Sequence, residues 1–190
     1  MKQLTLLLFS LMLGLQAAAQ NVEKLYEEGK ALYDAKEYAK AFPKLKTAAE
    51  KGHKKAQYRL GRCYDKGNGT EKDKPLAFKW YTKSAEQGFA KALYQVGKCY
   101  KEGEGVEKDH AKAVSFFTKA ARQENADARY QLAKYYVKGK GGLSVDLKKA
   151  ASLVKQAVND DKDGAEIREK IKKDVAEGDE VAKQLQAMLK

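Results

Sequence analysis

Four tyrosines, Tyr26, Tyr58, Tyr94 and Tyr130, are each followed four residues later by a cation: Lys30, Arg62, Lys98 and Lys134. On a helix, a spacing of four sets each phenol beside its cation on one face. A phenol offers flat contact area with a polar tip, and lysine and arginine bind carboxylates or phosphates. A row of such pairs suits an extended acidic peptide or another anionic chain. The same spacing also fits a second reading, in which the rings pack in the core and the cations form a solvated face.

Other residues with chemical potential stand in weaker patterns. Ser152-Leu153-Val154-Lys155 matches the S-x-x-K nucleophile pattern, which would support hydrolysis of a cell-wall or β-lactam amide. Its companions, an SDN-type and a KTG-type triad, are missing, and serine near lysine arises easily in a lysine-rich helix. Asn159-Asp160-Asp161-Lys162-Asp163-Gly164 resembles the start of a calcium loop, but Lys170 stands where the closing glutamate is needed. A capped helix start is the plainer reading of that stretch. His53 and His110 lack metal-ligand spacing, and the glycines around Asn68 do not follow the strand-to-helix pattern of a phosphate loop. No metal, cofactor or catalytic residue is expected.

These residues are positioned by an internal repeat. Ala56, Gly61, Tyr64, Gly67, Gly69 and Asp73 return 36 residues later as Ala92, Gly97, Tyr100, Gly103, Gly105 and Asp109, and a third copy follows at Ala128, Ala133, Tyr136, Gly139 and Gly141. The first half of each copy reads as a helix, A, with Ala92, Val96, Gly97 and Tyr100 on one face. A glycine inside that helix costs about 1 kcal/mol against alanine, which implies close approach by a neighbouring helix. Gly103 ends helix A, and Asp109 caps a second helix, B, whose stripe is Ala113, Phe116, Phe117, Ala120 and Ala121. Such a unit cannot bury its apolar face alone and must stack on its neighbours.

Ala56-Gln57-Tyr58-Arg59-Leu60-Gly61, with Tyr64, the Gly67/Gly69 loop, Asp73, Ala77, Trp80-Tyr81 and Lys83-Ser84-Ala85-Glu86-Gln87-Gly88, resembles the signature of the Sel-one-like repeat family, a branch of the tetratricopeptide-like helical repeats. The resemblance implies an all-α fold, a right-handed α-solenoid of stacked helix–loop–helix repeats, and a non-catalytic protein–protein interaction role. It also implies that the tyrosine–cation pairs look toward a concave groove. Relatives staple helices within a repeat by disulfides. Cys63 and Cys99 instead occupy one equivalent position in adjacent repeats, which predicts two separate thiols.

Residues 1–19 read as a secretory signal peptide: Lys2, an apolar run from Leu4 to Leu15, then Ala17-Ala18-Ala19. The run falls short of the roughly 20 residues that span a bilayer, and no other stretch is apolar enough. Residues 20–190 form one repeat domain with units at about 22–52, 55–88, 91–124 and 127–161 and a C-terminal cap at 165–190. The first unit is compact and closer to an ordinary tetratricopeptide unit. Pro43 falls inside its second helix and predicts a kink or a late start. The whole chain carries a net charge of +12; loss of Lys2 with the leader leaves 37 basic and 26 acidic residues, or +11. That charge steers anionic partners and gives weak attraction to anionic envelope surfaces. Nucleic acid is not expected, because secretion argues against it and no recognition motif is found. The expected molecule is an exported, periplasmic or secreted bacterial scaffold that binds a protein or peptide segment. A binder of anionic envelope polymer is the other non-catalytic reading.

Overall fold

The computed structural model describes the backbone of residues 2–190; ahead of residue 19 its described side chains are those of Met12 and Gln16. Among the described residues there are ten helices and no strand. They group into two compact units, Met1–Gln87 and Gly88–Lys190. The first holds α1 (Lys2–Asp34), α2 (Tyr38–Glu50), α3 (Lys54–Lys66) and α4 (Lys74–Glu86). The second holds α5 (Ala90–Glu102), α6 (His110–Ala121), α7 (Ala126–Lys138), α8 (Leu147–Val158), α9 (Gly164–Ala176) and α10 (Glu180–Ala187). The helices pack pairwise as successive hairpins, α1 with α2, α3 with α4, α5 with α6, α7 with α8 and α9 with α10. Within the first unit α2 also packs on α3; within the second α6 packs on α7 and α9 on α8.

The repeat in the sequence becomes a repeat of helix ends. Asp73, Asp109 and Asp146 each accept a hydrogen bond from the amide three residues on, at Leu76, Lys112 and Lys149, and so start the B helices α4, α6 and α8. Gly103 takes φ 77° to close α5, with its amide on the Cys99 carbonyl, a left-handed turn that glycine enters without steric cost. The glycine inside α3 and inside α5 answers to packing. A Cβ built on Gly61 would lie 2.6 Å from the Tyr81 ring, and one on Gly97 would lie 2.7 Å from the Phe117 ring. In these two hairpins the B helix therefore presses an aromatic side chain close against its own A helix, which fixes the hairpin.

Two features of the first unit bear on the sequence reading. α1 is one helix from Lys2 to Asp34 and includes the expected cleavage position. Most side chains of that expected leader lie outside the described residues. α2 begins at Tyr38 and continues through Pro43, so of the kink or late start expected there the late start does not occur. Pro43 forfeits only its own amide, while its carbonyl also accepts the Thr47 hydroxyl at 2.9 Å. Among the described residues no helix is long and apolar enough to cross a membrane.

Both cysteines are buried free thiols. Burial pushes the Cys63 thiol up to about 12, against the pull of Arg62 and Arg59. At pH 8 this leaves about one thiolate in ten thousand, and the thiolate is the reactive form. Iodoacetamide at pH 8 is therefore expected to leave Cys63 unmodified in the folded chain and to alkylate it fully in urea, as read by peptide mass spectrometry. Rapid alkylation of the folded chain would contradict this burial.

Candidate functional site

The tyrosine–cation row does not present four rings to solvent. Tyr26, Tyr94 and Tyr130 are buried and Tyr58 is half-buried. The expectation of phenols lining an open groove is corrected by the packing just described. Each of Tyr58 and Tyr94 precedes its helix-A glycine by three residues and leans on the same B-helix ring, with centroids 5.9 Å from Tyr81 and 5.8 Å from Phe117. Tyr26 stacks on the His53 ring at 4.3 Å. The cations diverge in the same way. Lys30 pairs with Glu27 of its own helix at 3.2 Å, and the Arg62 guanidinium lies 5.5 Å from the centre of the Tyr33 ring.

On α7 tyrosine and cation act together, and there they hold carboxylates. The Tyr130 hydroxyl donates to Asp174 Oδ2 at 2.8 Å, and Lys134 Nζ donates to the same oxygen at 3.0 Å. Lys134 also donates to Asp179, which in turn caps α10 by accepting from the Val181 and Ala182 amides. Burial, reinforced by the hydrogen bond to Asp174, pushes the Tyr130 phenol well above its ordinary range. Burial works against the charged forms of Lys134 and Asp179. Their mutual pairing outweighs it, so the lysine is held above and the carboxyl below its ordinary value. On the neighbouring turn of α9, Lys170 pairs with Asp127 and approaches the Tyr94 ring at 6.0 Å. The C-terminal hairpin thus lies on the A-helix face of the second unit and occupies it with its own charges.

Beside this contact, α5, α6 and α7 enclose a cavity of about 90 Å³ with a strongly basic lining: Lys101, Lys134, Lys138 and Lys140, with His110, Gln131 and Tyr135. Lys101 Nζ donates to Gln131 Oε1 at 3.1 Å and lies 3.9 Å from Glu102. His110 Nδ1 is 2.8 Å from the Tyr135 hydroxyl. Burial lowers the Lys101 ammonium below its usual range; Glu102 opposes this, and Lys134, Lys98 and Lys170 add to it. Burial, with Lys140, Lys108 and Lys101, likewise holds His110 below the ordinary histidine value, against a smaller pull from Asp109. Sequence reasoning passed over this cluster because its residues come from three helices and the loop after α7. One signal was available: Asp65, 36 residues before Lys101, is an acid, so the sign of charge inverts between equivalent positions.

Ser152 and Lys155 are both exposed on α8, beside a cleft that Arg129 and Asp160 also line. The Ser152 hydroxyl accepts from Gln156 Nε2 at 3.0 Å. In the calcium-like stretch, Asp160 Oδ1 accepts from the Lys162 and Asp163 amides, which is the geometry of a capped turn.

Three consecutive segments, residues 54–89, 90–125 and 126–161, match the Sel1 repeat. The chain belongs to the Sel1 repeat family. The matched segments are α3–α4, α5–α6 and α7–α8 with their loops, while α1–α2 and α9–α10 lie outside the match. A Sel1 repeat protein from Oxalobacter formigenes, known from its crystal structure, is similar at 31% identity and TM-score 0.67 over 83% of this chain and 72% of that one. A second crystal structure, of c5321, a protective antigen present in uropathogenic Escherichia coli strains that displays this fold, is similar at 24% identity and TM-score 0.62, over 87% of this chain and 48% of that one. No curated protein matches the chain. Sel1 repeat proteins are typically protein-interaction scaffolds and usually non-catalytic.

Proposed function

We propose that this Sel1 repeat protein is an exported, non-catalytic adaptor of the cell envelope, and that the A-helix face of α5, around Lys98, binds an acidic segment of a partner protein. Export rests on the leader pattern of Lys2, Leu4–Leu15 and Ala17-Ala18-Ala19. The observation that carries the binding reading is the grip of Tyr130 and Lys134 on Asp174 and Asp179. It supplies, inside the molecule, an example of carboxylates held by this repeat position. One repeat earlier, Lys98 is half-buried and, among the described residues, has no carboxylate partner. An acidic partner chain would supply one there, and charge-assisted bonds of this kind are the strong ones.

The test is fluorescence anisotropy of the full chain with a labelled ten-residue Asp/Glu-rich peptide, a lysine-rich counterpart and inorganic polyphosphate. The acidic peptide is expected to bind in preference to both others. Lys98→Glu should weaken it about tenfold with unchanged circular dichroism, since a like charge replaces an attractive one. Equal binding of polyphosphate would favour the anionic-polymer reading and overturn the adaptor reading. Undiminished binding by Lys98→Glu would remove this face as the site.

A further inference from the structure

We propose that the cavity between α5, α6 and α7 is a binding site for a compact oxyanion, a single carboxylate or phosphoryl group, which replaces an acid that the preceding repeat carries within its own chain. Two adjacent repeats of the same chain provide the argument. In the repeat of α3–α4, Asp65 at the end of the A helix accepts a short hydrogen bond from Lys74 at the start of the B helix. Asp65 is also 3.4 Å from Lys66, and the group is mostly buried. One repeat later, 36 residues on, the counterpart of Asp65 is Lys101 and the counterpart of Lys74 is His110. The backbone positions are retained, the internal acid is gone, and its place is taken by a second cation.

What remains around Lys101 is a cluster of bases with little to neutralise it. Glu102, 3.9 Å away, is its only carboxylate neighbour within ion-pair distance among the described residues. Lys134 is already committed to Asp174 and Asp179. Lys138 and Lys140 have no ion-pair partner among the described residues. A half-buried lysine pressed by other lysines costs stability unless an anion shares the space. The cavity, at about 90 Å³, has room for about three waters at ~30 Å³ each, the size of one carboxylate or phosphoryl group. The donors suit such a group. Lys101 keeps two N–H bonds after its bond to Gln131, the exposed Lys138 and Lys140 also line the cavity, and His110 keeps Nε2 with Nδ1 on Tyr135. Lys98, the residue that tests the A-helix face proposed above, does not line this cavity, and a small anion tests it without any peptide.

The experiment is an amide and histidine-ring NMR titration of the full chain with inorganic phosphate and, separately, acetate, at constant ionic strength made up with chloride. Saturable shifts are expected at the amides around Lys101, His110 and Lys140. The His110 ring should also titrate at higher pH when the site is filled, since an anion beside it offsets Lys101, Lys108 and Lys140; Asp109, Glu102, Lys134, Lys138 and Tyr135 complete the groups around it. Saturation by phosphate alone assigns a phosphoryl ligand, and saturation by both assigns a carboxylate-tolerant site. Lys101→Asp rebuilds the acid of the sister repeat and is expected to weaken binding about tenfold or more, with the thermal midpoint retained or raised. His110→Lys, which supplies the sister repeat's cation, is expected to keep or strengthen it. Shifts that rise linearly with either salt, or an unchanged affinity in Lys101→Asp, would overturn the site.

Discussion

Phe117→Ala is expected to lower the stability of the second unit by about 3–5 kcal/mol, the range for deleting a fully buried phenylalanine. Phe117 is 0% exposed. Its ring closes the α5–α6 hairpin over Gly97 and also meets Tyr94 at 5.8 Å and Tyr135 at 6.1 Å, so one side chain ties helices of two successive repeats. In stacked repeats each unit depends on its neighbour, and a loss of this size is a large part of the 5–15 kcal/mol that a domain typically holds. Urea unfolding followed by circular dichroism should show a lowered midpoint. The companion variant Gly97→Ala gains about 1 kcal/mol of helix propensity and meets the ring at 2.7 Å, a clash that overpacking rules put at about 1–3 kcal/mol. In the double variant the added methyl enters the space the ring has left, so the two effects should fail to add. Simple additivity, or a Phe117→Ala midpoint close to wild type, would mean that the ring does not clamp the hairpin.

That clamp explains how much of the fold was legible in the sequence. The 36-residue return of Gly61 as Gly97 and of Asp73 as Asp109 fixed helix ends and helix contacts together, because capping and close approach are local demands on residue type. A tyrosine does not carry such a demand. Tyr94 at the centre of an apolar stripe and Tyr94 facing a groove give the same spacing, and the choice depends on where Phe117 points. The four tyrosine–cation pairs were equivalent in the sequence, and tertiary context separated them: Lys30 found Glu27 in its own helix, Arg62 found Tyr33, and Lys134 found two acids 40 and 45 residues away. Long-range pairing of charges leaves no periodic trace. The basic cavity was hidden for a related reason, since Lys101, His110 and Lys140 belong to different elements and only the inversion from Asp65 to Lys101 hinted at it.

Lys134→Met is expected to loosen the C-terminal hairpin and to change how its docking responds to acid. The methionine keeps length and apolar contact where the ammonium lay 5.3 Å from the centre of the Tyr130 ring, and removes only the charge. Asp174 and Asp179 then face the α7 surface without a cation. The side chains of Lys134, Asp174 and Asp179 are 17%, 23% and 29% exposed, between an open surface pair and a sealed one. The expected loss therefore lies between those two limits, at about 1–3 kcal/mol. Amide exchange across α10 should accelerate about 5- to 150-fold if docking governs it, with α5 and α6 unaffected. The pH dependence has a definite sign. The Asp179 carboxyl sits below its ordinary value in the folded chain, since Lys134 and the α10 amides outweigh burial. Its contribution is therefore complete above the unfolded value near 4 and is lost as pH falls through the lower folded value. Lys134 and Tyr130 are both raised, so their contributions are complete below roughly pH 10 and decline as pH climbs past it. The hairpin should be held most firmly between those limits. In Lys134→Met the acid limb becomes shallower, because only the Val181 and Ala182 amides still favour the ionised Asp179. Coincident acid profiles for wild type and variant would show that Lys134 does not hold the hairpin, and the carboxylate grip on α7 would lose its support.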